Sequence, residues 1–162
     1  MSFSLNFALF AAEFSNMILK IFKVIWIVTI ITMWGVFIYC YASWPQEVRF
    51  SENADWIVLD KGYLFYSCLV LTAVLNALVF AIVKLRFSTD FITWFYGLLI
   101  AFHTFLVSGF ILITIFNSLE TYDYAMMGPT VYGSIFLLMA WILAWPVYFV
   151  YQKLRPQSAI SE

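Results

Sequence analysis

Charge is what this chain has least of. Asp, Glu, Lys and Arg make up 10% of its 162 residues, against 65% hydrophobic residues, whereas a water-soluble domain is nearer a quarter charged. That shortage excludes an ordinary soluble enzyme. The 22% aromatic content excludes intrinsic disorder, which is poor in such residues. A net charge of −1 leaves no basic surface for nucleic acid. Two cysteines, Cys40 and Cys68, are too few for a secreted disulfide framework. The sequence also lacks G-x-S-x-G, P-loop, H-E-x-x-H, C-x-x-C and dinucleotide-binding signatures, so no enzyme is expected.

What the chain does have is long apolar runs. A helix needs roughly 20 such residues to cross a hydrocarbon core about 30 Å thick. Four stretches qualify, at about 24–43, 63–83, 91–116 and 131–151, and none contains Asp, Glu, Lys or Arg. Strands of a membrane barrel would alternate polar and apolar, so helices are predicted. Lys20, Lys23, Lys84, Arg86, Lys153 and Arg155 flank one side, and only Arg49 and Lys61 the other. The positive-inside rule then predicts cytoplasmic N- and C-termini. Six of the acids fall in the outer loops, 44–62 and 117–130. The expected localisation is a bacterial inner (plasma) membrane, multi-pass.

Ahead of the first span, Phe3, Phe7, Phe10 and Phe14 recur at helical spacing, opposite Ser2, Asn6, Glu13 and Asn16. This pattern predicts an amphipathic interfacial helix over about 1–18, on the inner leaflet or docked on a neighbour. The predicted fold is therefore an all-α, four-transmembrane-helix bundle with an N-terminal interfacial helix, N-in/C-in, forming a single membrane domain.

Strongly polar residues inside spans are where membrane function usually resides. His103 is the only histidine; Tyr96, His103, Phe110 and Asn117 repeat every seven residues on the third span. On the second span Asn76 lies about as deep as His103, and the short connection at 84–90 makes an Asn76–His103 hydrogen bond geometrically feasible. Tyr96, Asn76, His103 and Asn117 are thus the candidate intramembrane polar site. Polar adhesion between helices is the leading reading. Proton or ion transfer is disfavoured because no span carries an acid. Haem would need a second axial ligand, so no cofactor is expected beyond half of a haem site shared through His103 with a partner. His103, Cys40 and Cys68 are too scattered for a metal centre.

Small residues form a further signal. Ala73, Ala77 and Ala81 repeat every four residues, as do Ala140 and Ala144, and Gly35 sits with Thr32 and Thr29. Small-xxx-small ladders let helices approach closely, within the bundle or against other subunits. Pro146 predicts a kink late in the last span. In the outer loops Arg49, Glu52, Asp55, Trp56, Glu120, Tyr122 and Asp123 are the recognition candidates; these loops would either cap the bundle or meet a cationic partner.

Tyr41-Ala42-Ser43-Trp44-Pro45, then Val48, Phe50, Asn53, Asp55-Trp56 and Lys61 before an apolar helix, resembles a bacterial membrane domain of unknown function. That domain precedes the conserved region of SdpI-type toxin-immunity proteins. Trp44 here stands where that pattern has Leu, and Arg49 where it has His. The second loop, with Asn117-Ser118 and Tyr122-Asp123-Tyr124, is similar to that of small uncharacterised four-helix bacterial inner-membrane proteins. The resemblance implies fold and location more than activity. The expected role is a non-catalytic accessory or structural subunit, its partners the lipid bilayer and other membrane subunits or further copies of itself. The alternatives are a sensor or immunity protein reading a ligand through its outer loops, and a small transporter or channel subunit organised around His103 and Asn76.

Overall fold

No proline or glycine occurs between Ser2 and Trp34, and the backbone there is helical without a break. The structure, a computed structural model, describes residues 2–50, 58–85, 87–118 and 127–154, with side chains described at Phe10 and from Glu13 onward. Helix α1 spans Ser2–Ser43, strands β1 and β2 span Glu47–Arg49 and Val58–Asp60, and helices α2, α3 and α4 span Lys61–Lys84, Thr89–Phe116 and Gly128–Leu154. All four helices are long and apolar enough to cross a membrane.

Two expectations are corrected here. The segment 1–18 is not a separate helix: from Ser2 it is the first part of α1, whose 42 residues make a rod about 63 Å long. Lys20 and Lys23 bound the apolar run without interrupting the backbone, because lysine is a good helix former. The chain is also not purely helical. Antiparallel β1 and β2 pair Glu47 with Asp60, Val48 with Leu59 and Arg49 with Val58.

Local chemistry sets the helix ends. The Asp60 carboxylate accepts from the Gly62 and Tyr63 N–H groups at 2.8 and 3.4 Å and so caps α2. It also accepts from the Gln46 side-chain amide at 2.7 Å. Gln46 first, then the Gly62 N–H, holds this carboxyl below its usual range. Ser88 caps α3 by accepting from the Phe91 N–H at 3.3 Å. Pro129 falls in the first turn of α4, where a missing N–H costs little, and α4 continues through Pro146.

Helix α3 is the centre of the bundle: it packs most extensively on α1, then on α4, and least on α2. Two apolar clusters form along it. The one nearer the β1–β2 hairpin surrounds Phe37, whose ring lies 4.8 Å from Phe110, 5.8 Å from Phe65 and 6.0 Å from Trp44. Cys40 is buried in this cluster, and Cys68 packs against it; both are free thiols. The other cluster, nearer the α2–α3 connection, joins Trp26, Val79, Tyr96 and Leu99.

The α3–α4 contact is made by two tryptophans. The Trp94 indole donates to the Trp141 carbonyl, and the Trp141 indole donates to the Trp94 carbonyl, both at 2.8 Å. This reciprocal pair needs Gly97, because a Cβ there would stand 2.1 Å from a Trp141 ring atom. The ring has little freedom to retreat, being held by its own hydrogen bond and packed on Phe22 at 5.9 Å. Gly97→Ala should therefore destabilise the protein by about 1–3 kcal/mol through overpacking. Gly109→Ala, where a Cβ meets nothing within 4 Å, serves as control. Equilibrium unfolding in detergent checks the difference; equal stability of the two variants would contradict this packing.

Candidate functional site

Between the two apolar clusters lies a polar layer built from three helices. His103 is 1% exposed. Its Nε2 lies 3.4 Å from the Asn76 Nδ2 of α2, and its Nδ1 lies 3.2 Å from the Thr29 Oγ1 of α1. The Asn76–His103 pairing expected from their matching depth is present. Trp26 was not anticipated, and Thr29 was expected only as a small packing residue beside Gly35 and Thr32. The Trp26 indole donates to Asn76 Oδ1 at 2.8 Å, and the Thr29 hydroxyl donates to the Trp26 carbonyl at 2.9 Å.

Donor and acceptor accounting then assigns the protons. An indole N–H can only donate, so the Asn76 oxygen must face Trp26. The Asn76 amide nitrogen therefore supplies hydrogens, one to the Thr72 carbonyl at 2.8 Å and one to His103 Nε2. That leaves Nε2 as an acceptor and places the ring proton on Nδ1, donating to Thr29. The hydrogen bonds run from Trp26 through Asn76, His103 and Thr29 back to Trp26. Thr72 Oγ1 donates in turn to the Cys68 carbonyl. Among the described residues no buried side-chain nitrogen or oxygen lacks a partner. The arrangement satisfies a neutral imidazole on both nitrogens.

The other two members of the predicted polar seam lie elsewhere. Tyr96 is buried nearer the α2–α3 connection, its ring 5.2 Å from that of Trp26. Asn117 is at the far end of α3, since residues 96 and 117 are separated by about 31 Å of helix, and a seven-residue repeat shares a face without sharing a site. Asn117 instead joins the loops. It accepts from the Arg49 N–H at 2.9 Å and donates to the Arg49 carbonyl at 2.8 Å. Beside it Trp44 donates to Thr114 Oγ1 at 2.8 Å, while Lys61 Nζ donates to the Trp44 carbonyl at 3.0 Å and lies 4.4 Å from the centre of the Tyr41 ring. This places a cation at the C-terminal end of α1, where the helix dipole favours it. The remaining outer-loop candidates, Glu52, Asp55, Trp56, Glu120, Tyr122 and Asp123, lie outside the described residues.

The small-residue ladders do not pack inside the chain. Gly35, Ala73, Ala77, Ala81, Ala140 and Ala144 are all exposed, and the close approach is made instead at Gly97. Among the described residues no group of three or more metal-ligating side chains converges. Of the predicted Phe stripe, Phe10 and Phe14 stack at 6.4 Å, and the side chains of Phe3 and Phe7 lie outside those described.

These features define a helical bundle whose four helices have the length and apolar composition of a multi-pass membrane protein. No family model, curated protein or solved structure matches the chain.

Removing the Asn76 amide strands both the Trp26 N–H and His103 Nε2, and a buried group left unpaired costs about 1–3 kcal/mol. Asn76→Leu should lose stability in that range, as should His103→Leu. The double variant should lose less than the sum, with a coupling near 0.6 and at most about 1.7 kcal/mol, as for membrane hydrogen bonds. Unfolding free energies of the four proteins measure this; strict additivity would show that the two residues do not interact.

Proposed function

We propose that this chain is a non-catalytic accessory or structural subunit of a larger assembly in a bacterial inner membrane, with both termini cytoplasmic. The observation that carries this reading is the closed state of the polar layer. His103, the residue best suited to proton or ligand chemistry, is buried with both ring nitrogens engaged. A group in that condition specifies helix packing. The outward-turned ladder of Ala73, Ala77 and Ala81 adds a surface on which a neighbouring helix could approach closely. The N-terminal part of α1, continuous with the span and with Phe10 and Phe14 exposed, offers an apolar face that a neighbouring subunit could cover.

A second reading, recognition by the outer loops, is favoured by the Asn117–Arg49 pair. It ties the β1 strand to the end of α3 and gives the flanking loops a fixed base, as a sensor or immunity-type protein would need.

Purification in mild detergent, followed by mass spectrometry, decides for or against the subunit reading. Stoichiometric membrane partners or a defined self-assembly are expected. Ala77→Leu should reduce the co-purified amount by about ten-fold, equivalent to about 1.4 kcal/mol, with unfolding unchanged. A stable solitary monomer in mild detergent and in native membranes would contradict it.

A further inference from the structure

At the end of the bundle nearer the α2–α3 connection a groove of about 510 Å³ runs between the first part of α1, the start of α3 and the end of α4. Its walls are mostly aromatic: Phe14, Trp94, Trp141, Trp145 and Tyr148 line it, together with one carboxylate, Asp90. Trp94 and Trp145 lie 5.6 Å apart, as do Trp145 and Tyr148. Asp90 accepts from the Tyr148 hydroxyl at 3.0 Å, and that hydroxyl accepts in turn from the Gln152 amide at 2.6 Å. The start of α3 already has its cap in Ser88, and Asp90 adds a negative charge to that first turn.

This flank carries Lys20, Lys23, Lys84 and Lys153, with Arg86 and Arg155 outside the described residues; among the described residues Asp90 forms no ion pair, and Lys153 lies over the Phe149 ring at 5.3 Å. A carboxylate with no cationic partner among the described residues, set in a groove lined by aromatic rings, has the chemistry that receives an organic cation: charge from the acid and cation–π attraction from the rings. Depth sets the shape of the occupant. Asp90 lies about 20 Å along α3 from His103, whereas half a hydrocarbon core is about 15 Å. With His103 near the midplane, the carboxylate stands at headgroup level with apolar walls running inward from it.

We propose that this groove binds the ammonium head of an amphiphilic amine, with the cation against Asp90 and the indoles of Trp94 and Trp145, and its apolar part along Trp141. Two sources share this chemistry: an amine-headed phospholipid and a free alkylammonium compound.

The test uses the full chain in dodecyl maltoside, which has no amine. Calorimetric titration with hexyltrimethylammonium should give saturable binding, with hexanol as the uncharged control giving none. Asp90→Asn should weaken binding about ten-fold or more, and Asp90→Glu should largely restore it. Trp145→Leu provides a second variant that leaves the carboxylate in place and should also weaken binding. In a parallel arm, the protein released from nanodiscs of equal phosphatidylethanolamine and phosphatidylglycerol is weighed by native mass spectrometry. Preferential retention of phosphatidylethanolamine, lost in Asp90→Asn, identifies the lipid; no preference alongside saturable hexyltrimethylammonium binding identifies a free amine. Absence of saturable binding by the wild type overturns the proposal. So does equal affinity in folded Asp90→Asn, or in Trp145→Leu should Asp90→Asn fail to fold.

Discussion

The hydrogen bonds linking Trp26, Asn76, His103 and Thr29 are what the rest of the bundle is arranged around. In a hydrocarbon environment burying apolar area gives helices little reason to prefer one another over lipid, so association rests on close packing and polar contacts. Helix α2 shows this most clearly. It packs on α3 far less than α1 does, and most of its surface is exposed. What fixes its depth and rotation is the amide of Asn76, reaching both Trp26 and His103. Because the indole can only donate, the orientation of the amide and the imidazole tautomer follow from it.

The remaining contacts extend that layer toward each end. Toward the hairpin, Phe37 gathers aromatic rings from three helices, and Trp44, Lys61 and Asn117 bind the end of α1, the start of α2 and the hairpin to α3. Toward the α2–α3 connection, the reciprocal Trp94–Trp141 bonds hold α4 against α3 over Gly97. In both regions indole N–H groups find oxygen partners within the chain. That is the requirement lipid imposes on any polar atom carried into it.

Much of this was legible in the sequence, and the omissions have physical causes. The four apolar runs predicted the four helices, and equal depth on a short hairpin predicted Asn76 beside His103. Trp26 escaped because a tryptophan in an apolar run resembles a lipid-facing residue; its single N–H at the depth of Asn76 was the available signal. The split between 1–18 and the first span came from Lys20 and Lys23, which bound hydropathy but do not break a helix. The absence of proline and glycine up to Trp34 argued for one continuous rod. The alanine ladders were a true sign of small surface, yet spacing alone does not say which neighbour uses it. The close approach is made at Gly97, which the sequence does not set apart from Gly109 in the same span, where a Cβ would meet nothing within 4 Å. The two short strands carried too few alternating residues to announce themselves.

The central claim, that His103 is a neutral packing element locked by its partners, is tested most directly by ¹⁵N nuclear magnetic resonance of its ring at neutral pH in a lipid bilayer. The account predicts a neutral imidazole protonated at Nδ1, with Nε2 accepting from Asn76, and a change in that signature in Asn76→Leu. An Nε2-protonated ring or an imidazolium, or a spectrum indifferent to Asn76, would contradict it.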